Sequence, residues 1–426
     1  MPFGFFRSNH SPILADFGSS GVKLLQVQPG ERPSVSAAAF VAFSDELRAQ
    51  GIDERFDFLA TTLPAALKAG GFRGNRVVLA PFSQHMLVQH VGIAAADAER
   101  AESVVATQVA VGLGCDPASL VVRSSRVCET TRDGQPKIEM IAFAMSRNDV
   151  MRYVELFKRA KVAVVGVHGE ISALVHAFDH VNRRVEDTST TTMYVDLGYS
   201  GTQVAICHGP QLVFAKSIAV AGRSFDARIA EARRISLGAA RTLRLAEGVR
   251  PVRTPGERAA PVAAEPRAAS ASAAPEAMPA ILRAALAQEA ATEALASPVA
   301  EATERRVGQP SPALGASLPS QSVASIATEC RETVESLCDE VGMCARYYGG
   351  LFRERRIDRV VFLGGEARDI GLCQALAASL RIPAKAGDPM ARFLSNGAAP
   401  EGLPDADSPH PGWAVACGLA SAPTDL

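Results

Sequence analysis

Large aromatic side chains and long apolar runs are both scarce in this chain. Among 426 residues there are one tryptophan, five tyrosines and 18 phenylalanines. No stretch approaches the roughly 20 consecutive apolar residues of a membrane-spanning helix, and the first ten residues, MPFGFFRSNH, lack the apolar core of a signal peptide. We therefore expect a cytoplasmic protein that reaches a membrane only through partners.

An excess of one charge sign is absent as well. Lys and Arg total 44 against 45 Asp and Glu, and no basic patch is interleaved with aromatic residues, so the sequence predicts no nucleic-acid partner. The eight cysteines form no CxxC pair, which indicates reduced thiols rather than a disulfide framework. A chain of this length that is 47% hydrophobic and 21% charged is typical of a globular protein with two or more lobes.

Aromatic residues are missing altogether between Phe225 and Tyr347. Within that gap, residues 250–322 carry ten of the 26 prolines amid alanine, serine and glutamate. A segment without large apolar side chains cannot offset its ordering entropy by burial. The sequence therefore predicts a disordered insertion with a transient helix at Ala280–Ala296, and either a tolerated insertion or a helix that docks a partner fits this composition.

The first informative stretch is Ile13–Val27, ILADFGSSGVKLLQV. Two apolar strands flank the turn from Asp16 to Gly21, and such a hairpin turn can face a phosphate, with glycine admitting close approach and serines donating hydrogen bonds. A plain hairpin fits the same residues. Lys23, on the second strand, points either to the phosphates or to solvent.

The pattern recurs at Thr192–Ile206, TMYVDLGYSGTQVAI, where a strand ends in Asp196 and a Gly-Ser-Gly turn leads into the next strand. A third element, Arg359–Glu366, is a buried-type strand that runs into Gly364-Gly365 and a helix. Bare backbone at a helix start is a place where a ligand can bind.

Three segments resemble, in order, the first phosphate, second phosphate and adenosine motifs of the actin-like ATPase superfamily: ADFGSSGVKLL, VDLGYSGTQVAI and FLGGEARDIGLCQALAASLRIPAKAGDP. Together with the final segment Trp413–Ala420, their order resembles the PilM branch, which is close to FtsA. The resemblance implies an α/β, actin-like (ribonuclease H-like) two-lobed ATPase fold with an inserted α+β subdomain. FtsA-like proteins carry a long linker and an amphipathic membrane-targeting helix at the C-terminus, and we expect neither here, which favours the PilM branch.

The resemblance and the alternation of elements predict seven segments. They are residues 1–82 (first lobe with phosphate 1), 83–165 (inserted α+β subdomain), 166–190 (return to the first lobe), 191–249 (second lobe with phosphate 2), 250–322 (Ala/Pro-rich insertion), 323–395 (second lobe with the adenosine motif) and 396–426 (closing segment with a C-terminal helix).

By resemblance, the cofactors are ATP and Mg²⁺. Asp16 and Asp196 are expected to hold Mg²⁺, largely through water. The expected nucleotide-binding residues are Asp16, Gly18, Ser19, Ser20, Gly21, Lys23, Asp196, Gly198, Ser200, Gly201, Thr202, Arg241, Arg244, Gly364, Gly365 and Glu366.

Three further positions leave alternatives open. Glu170 is the candidate that orients the attacking water, or else a helix-start carboxylate favoured by the helix dipole. Arg241 replaces an acidic group that meets the ribose in PilM-like proteins, while Arg244 keeps a positive charge where lysine is usual. His176 and His180 have metal-ligand spacing on a helix predicted over 171–181, but no third ligand accompanies them, so we expect ordinary histidines.

The resemblance implies an ATP-binding adaptor of type IV pilus or related secretion machinery, at most a weak ATPase. It would bind the N-terminal peptide of a PilN-like inner-membrane protein and link it to pilus motor ATPases. The alternatives are an FtsA-like filament-forming cell-division protein, a nucleotide-free pseudo-ATPase scaffold, and an actin-fold sugar or acetate kinase.

Overall fold

The structure is a computed structural model that describes residues 10–31, 33–132, 134–181, 185–249, 325–393 and 409–422. The expected insertion at 250–322 and its helix at 280–296 lie outside the described residues. The strands are β1 (Ile13–Gly18), β2 (Gly21–Gln28), β3 (Ser34–Ala42), β4 (Arg76–Ala80), β5 (Leu87–Ala94), β6 (Leu120–Arg132), β7 (Gln135–Ser146), β8 (Ala163–Val167), β9 (Thr191–Leu197), β10 (Thr202–His208), β11 (Gln211–Ile218), β12 (Arg359–Leu363) and β13 (Ala384–Ala386).

The α-helices lie between runs of these strands and after the last one. They are α1 (Asp45–Ala49), α2 (Ile52–Ala69), α3 (Ala101–Leu113), α4 (Arg147–Arg159), α5 (Glu170–His176), α6 (Gly222–Arg233), α7 (Leu237–Glu247), α8 (Ile326–Glu329), α9 (Arg331–Leu351), α10 (Ile370–Leu380) and α11 (Ala414–Leu419).

The chain builds the same five-stranded sheet twice. The strand orders are β3-β2-β1-β4-β8 and β11-β10-β9-β12-β13. In each sheet the first three strands pair antiparallel and the last two join in parallel. We call the first sheet with α1, α2 and α4 the first lobe, and the second sheet with α6 to α10 the second lobe.

Both faces of the first sheet are buried, and its strands alternate between them. Ile13, Ala15 and Phe17 face the outer core, where the Phe17 ring meets the Tyr153 ring of α4 edge to face at 4.9 Å. Leu14 faces the other way and joins the core between the two lobes. This period of two follows from the pleat of a β-strand.

Helices α5 and α11 fill the space between the two sheets. They touch backbone to backbone, because a Cβ on Gly418 would lie only 1.7 Å from the carbonyl oxygen of Ala173. Helix α11 thus packs against α5 and against strands β1, β2 and β4 of the first sheet. Helix α5 is shorter than expected: the sequence predicted helix to residue 181, but α5 ends at His176 and the chain continues in turns.

A third, smaller sheet of order β5-β7-β6 packs against α3 and forms the inserted subdomain. The expected boundary at residue 165 was wrong, because α4 and β8 belong to the first lobe. Val77 of β4 pairs in parallel with Val164 of β8, and Tyr153 of α4 lies in the first-lobe core. The insertion ends at Ser146, since an alternation of helix and strand does not reveal which sheet a strand joins.

All eight cysteines lie in the described ranges, and none is paired with another. In those same ranges no helix has the length and apolar character needed to cross a membrane.

Candidate functional site

A cavity of about 590 Å³ opens between the two lobes, which is within the usual size range for small-molecule sites. Its wall combines the turn between β1 and β2, the turn between β9 and β10, and the first residue of α5. Helix α7, the glycine pair after β12 and the start of α11 complete it. The site is therefore built where equivalent ends of the two related sheets meet.

Glycines shape the first turn. Gly21 has a φ of 149°, and a Cβ there would lie 2.4 Å from the carbonyl oxygen of Val41, so only glycine lets β2 lie this close to β3. The turn residues Ser19 and Ser20 line the cavity with Gly18.

The second turn is closed by a backbone hydrogen bond from the Gly198 N–H to the Gly201 carbonyl at 3.1 Å. Gly364, after β12, has a φ of 88°, and a Cβ there would lie 2.2 Å from Oδ1 of Asp196. The third motif therefore touches the second turn directly. This contact requires glycine.

The base of the cavity holds an ion pair. The Lys23 ammonium lies 2.9 Å from Oδ2 of Asp16, and the two residues are opposite each other on β1 and β2. Burial lowers the pKa of Lys23, but the carboxylates around it raise it by more, so the net shift is upward. Lys23 therefore points to the cavity and not to solvent.

Two carboxyl groups share a hydrogen bond beside that pair. Glu170 begins α5, and its side chain bonds to Asp196 at the end of β9. Burial, with the charges of Asp196 and Asp16, raises the pKa of Glu170 well above its usual range. Burial also raises the pKa of Asp196 to about 6. Both shifts favour the protonated form of the carboxyl concerned.

A buried ion triad supports the wall formed by α7. The Arg244 guanidinium donates to Oδ1 of Asp226 and to Oε2 of Glu366, at 2.6 Å each. All three side chains are almost completely buried. Their charges join α6, α7 and the segment after β12 into one unit.

No protein-family profile and no curated protein matches the sequence. Among solved structures, the chain is similar to the PilM–PilN type IV pilus biogenesis complex, with 15% identity over 96% of this chain and 97% of that chain and a TM-score of 0.65. The chain has the two-lobed actin-like fold of PilM. Two further similar structures are the ethanolamine utilization protein EutJ from Carboxydothermus hydrogenoformans (10% identity, 96% and 89% coverage, TM-score 0.46) and MreB5 of Spiroplasma citri bound to ADP (12% identity, 96% and 94% coverage, TM-score 0.44).

Within this PilM fold, most of the expected site residues lie around one cavity. Those that line it are Asp16, Gly18, Ser19, Ser20, Lys23, Glu170, Asp196, Gly198, Ser200, Gly201, Arg241, Arg244, Gly364, Gly365 and Glu366.

Two expected ligand residues do not line the cavity. Gly21 instead packs against β3. Thr202 is fully buried, and its hydroxyl donates to the carbonyl of Val220 at 2.8 Å. Each of these residues is the first of the strand that follows a turn. At that position the backbone and side chain contact neighbouring strands or segments and do not face the cavity.

Arg244 and Glu366 reach the wall, but they bind each other. The expectation that Arg244 presents a positive charge to a nucleotide was incomplete, because Asp226 and Glu366 neutralise that charge. Their role at the site is to position α7.

Several wall residues were not expected from the sequence. Tyr199 lies inside the second turn and was visible in the motif, but nothing local indicated its partners. Arg48 from α1, Ser83 and Trp413 also line the cavity, and they come from segments with no phosphate-binding pattern.

The described residues contain no group of three His, Cys, Asp or Glu side chains that could by themselves hold a metal ion. Nδ1 of His176 lies 2.9 Å from Oδ2 of Asp179. Carboxylates and hydroxyls are the donors that Mg²⁺ prefers when water and phosphate supply the remaining ligands, and the paired turns offer both kinds of oxygen.

Proposed function

We propose that this protein binds ATP with Mg²⁺ in the cavity between its lobes and acts as an adaptor in pilus or secretion machinery. The observation that carries the proposal is that two hairpin turns of one design, from separate sheets, line a single cavity. The turns bring serine hydroxyls and backbone N–H groups, which are donors suited to phosphate.

Both turns contribute residues that bind the nucleotide. Ser19 and Ser20 in one lobe, and Ser200 and Gly201 in the other, donate to the phosphates. Asp16 and Asp196 hold Mg²⁺ largely through water, and the ion neutralises phosphate charge when it is bound. At Gly365 an added Cβ would meet no atom within 4 Å, so this glycine leaves room for the flat face of the base.

Turnover of ATP is slow or absent in this proposal. A water-activating base must be deprotonated at the working pH, yet the carboxyl of Glu170 is bonded to Asp196 and its pKa is raised well above the usual range. The protein is thus at most a weak ATPase.

The likeness of the fold to PilM in the PilM–PilN complex supports a partner of the PilN type. The proposed partner is the N-terminal peptide of an inner-membrane protein, which leaves this chain cytoplasmic and attached to the membrane indirectly, with pilus motor ATPases as further contacts. A nucleotide held by both lobes biases the angle between them, and a partner that contacts one angle preferentially senses that bias.

A nucleotide-free scaffold is the second candidate. The observation that favours it is that the strongest charges of the site already have partners within the chain: Lys23 with Asp16, and Arg244 with two carboxylates. Such a scaffold binds its membrane partner equally well with and without ATP.

A melting curve with and without Mg-ATP, run beside a pulldown with membrane-bound pilus proteins, separates these candidates. Ligand at a hundredfold its dissociation constant stabilises the folded state by roughly 2.7 kcal/mol, so a rise in melting temperature is expected. A flat melting curve with intact partner binding favours the scaffold. Nucleotide-dependent polymerisation on membranes indicates an FtsA-like filament, and phosphate transfer to a sugar or acetate indicates a kinase.

A further inference from the structure

The ring of Tyr199, in the second turn, contacts two guanidinium groups. The Arg241 guanidinium is 4.6 Å from the ring centroid, and that of Arg48 is 5.7 Å away. Arg241 belongs to α7 in the second lobe and Arg48 to α1 in the first, and all three residues line the cavity. Two positive charges from opposite lobes therefore meet over one ring.

The first lobe holds Arg48 firmly in place. Nη1 of Arg48 donates to the carbonyl of Phe43 at 2.9 Å, and Nη2 pairs with Asp45. Arg55 donates to the carbonyl oxygens of Arg48, at 2.9 Å, and Gln50, at 3.4 Å, and so fixes the end of α1. Nε of Arg48 is buried and has no hydrogen-bond partner among the described residues.

The positive charge of Arg241 has fewer partners than that of Arg48. Within the described ranges it forms no ion pair shorter than 4 Å, and its Nη1 is buried without a hydrogen-bond partner. Asp226 is the carboxylate whose charge reaches both arginines, but Oδ1 of Asp226 is bound by Arg244. Burial, together with the charge of Arg241, lowers the pKa of Arg48.

Stacking on Tyr199 does not account for this arrangement. A cation–π contact stabilises a guanidinium over the face of the ring but leaves the N–H donors of the guanidinium edge unsatisfied, and a buried donor without a partner is destabilising. Like charges brought together in a cavity wall, each with a guanidinium nitrogen that lacks a hydrogen-bond partner, are what a bound anion requires.

We propose that Arg48 and Arg241 form a phosphate-binding site at the mouth of the cavity, beside the second turn, for a phosphate group of the bound nucleotide. The proposal rests on the proposed function. The group is either the last phosphate of a nucleoside triphosphate or a phosphate on the ribose, and both offer the same oxygens to a guanidinium fork. Because each lobe supplies one arginine, that phosphate joins the lobes.

Calorimetric titration with four adenine nucleotides tests the site. ADP and ATP differ by a last phosphate, whereas AMP and adenosine 3′,5′-bisphosphate differ by a ribose phosphate. We expect one of these additions to increase affinity at least tenfold in the unaltered protein. Arg241→Gln should abolish that gain while the affinity for the shorter nucleotide of the pair changes less than threefold. Arg241→Lys, which keeps the charge but loses the fork, should retain part of it.

Arg228→Gln is the matched control, since Arg228 lies on α6 of the same lobe and pairs with Glu231 and Glu332 away from the cavity. This variant should keep the full gain in affinity.

Loss of the gain of ATP over ADP in Arg241→Gln assigns the site to the last phosphate. Loss of the gain of the bisphosphate over AMP assigns it to the ribose phosphate. Binding of ADP or AMP with no gain that depends on Arg241 overturns the phosphate site alone. Failure of all four nucleotides to bind overturns the proposed function as well.

Discussion

The ammonium nitrogen of Lys23 lies 2.9 Å from Oδ2 of Asp16, its directly opposite neighbour across the first hairpin. The pair lies at the base of the cavity, with the side chain of Asp16 only 7% exposed and that of Lys23 19% exposed. A single hairpin thus supplies both an expected magnesium-binding carboxylate and the cation that neutralises it before a ligand arrives.

Lys23→Gln should destabilise the protein by about 1–3 kcal/mol, because it leaves the buried carboxylate of Asp16 without its partner. It should also weaken ATP binding about tenfold, since a positive charge beside the first turn is lost. Lys216→Gln is the control: Lys216 pairs with Glu340 at the same 2.9 Å, but their side chains are 41% and 34% exposed. The free energy of unfolding of both variants is measured by chemical denaturation. Equal losses of stability would contradict the claim that burial makes the Lys23–Asp16 pair more important to stability than the exposed pair.

Gly364→Ala should cost about 2 kcal/mol or more, since its φ of 88° disfavours a side chain and the new Cβ would collide with Asp196. Displacement of Asp196 should weaken Mg-ATP binding at the same time. Gly365→Ala is the neighbouring control, because open space surrounds a Cβ there, and its melting temperature should stay unchanged. If Gly364→Ala melts like the unaltered protein, the contact between the second and third motifs is not as described.

Arg244→Met should destabilise the protein by about 3–5 kcal/mol, because two buried carboxylates, Asp226 and Glu366, then lose their shared cation. The measurement is the denaturation midpoint. Arg331→Met removes an ion pair with Glu335 of similar length, 2.9 Å, whose side chains are 69% and 59% exposed, and it should shift the midpoint very little.

The buried imidazole of His208 should make stability depend on pH. Burial, aided by the charge of Arg355, lowers the pKa of His208 to about 4. In the unfolded chain the pKa of histidine is about 6.5. Between pH 4 and pH ~6.5 the unfolded chain therefore binds more protons than the folded protein. The stability that is present above pH ~6.5 is lost as the pH falls toward 4.

His208→Gln should flatten the dependence of the denaturation midpoint on pH between pH 7 and ~4.5, because the amide does not titrate. The same change at His176, which is more exposed and bonded to Asp179, provides the control. An unchanged slope in His208→Gln would show that protonation of this residue does not drive the loss of stability.

The recurring hairpins were readable in the sequence because strand period, turn glycines and the acidic residue at the strand end are all local features. The third motif and the final helix were readable for the same reason. The pairing of Lys23 with Asp16 was not predicted, because the sequence suggested a turn from Asp16 to Gly21, whereas β1 runs to Gly18 and only two residues separate the strands. The choice between cavity and solvent for Lys23 depended on the second lobe and so stayed open.

Features that depend on distant parts of the chain were not readable. Arg244 meets Asp226, 18 residues away, and Glu366, 122 residues away, and no local pattern reports such contacts. Arg48 reaches Tyr199 from the other lobe for the same reason. The end of the insertion was misplaced because only sheet pairing shows that β8 joins β4.

Calorimetric titration of Mg-ATP into the unaltered protein and into Ser19→Val and Ser200→Val tests the central claim, that two turns from separate lobes grip one nucleotide. We predict saturable binding at one site, with each substitution weakening it about tenfold because a donor to phosphate is lost. Binding that is indifferent to both substitutions, or no binding to a protein that is folded by its melting curve, would contradict the claim.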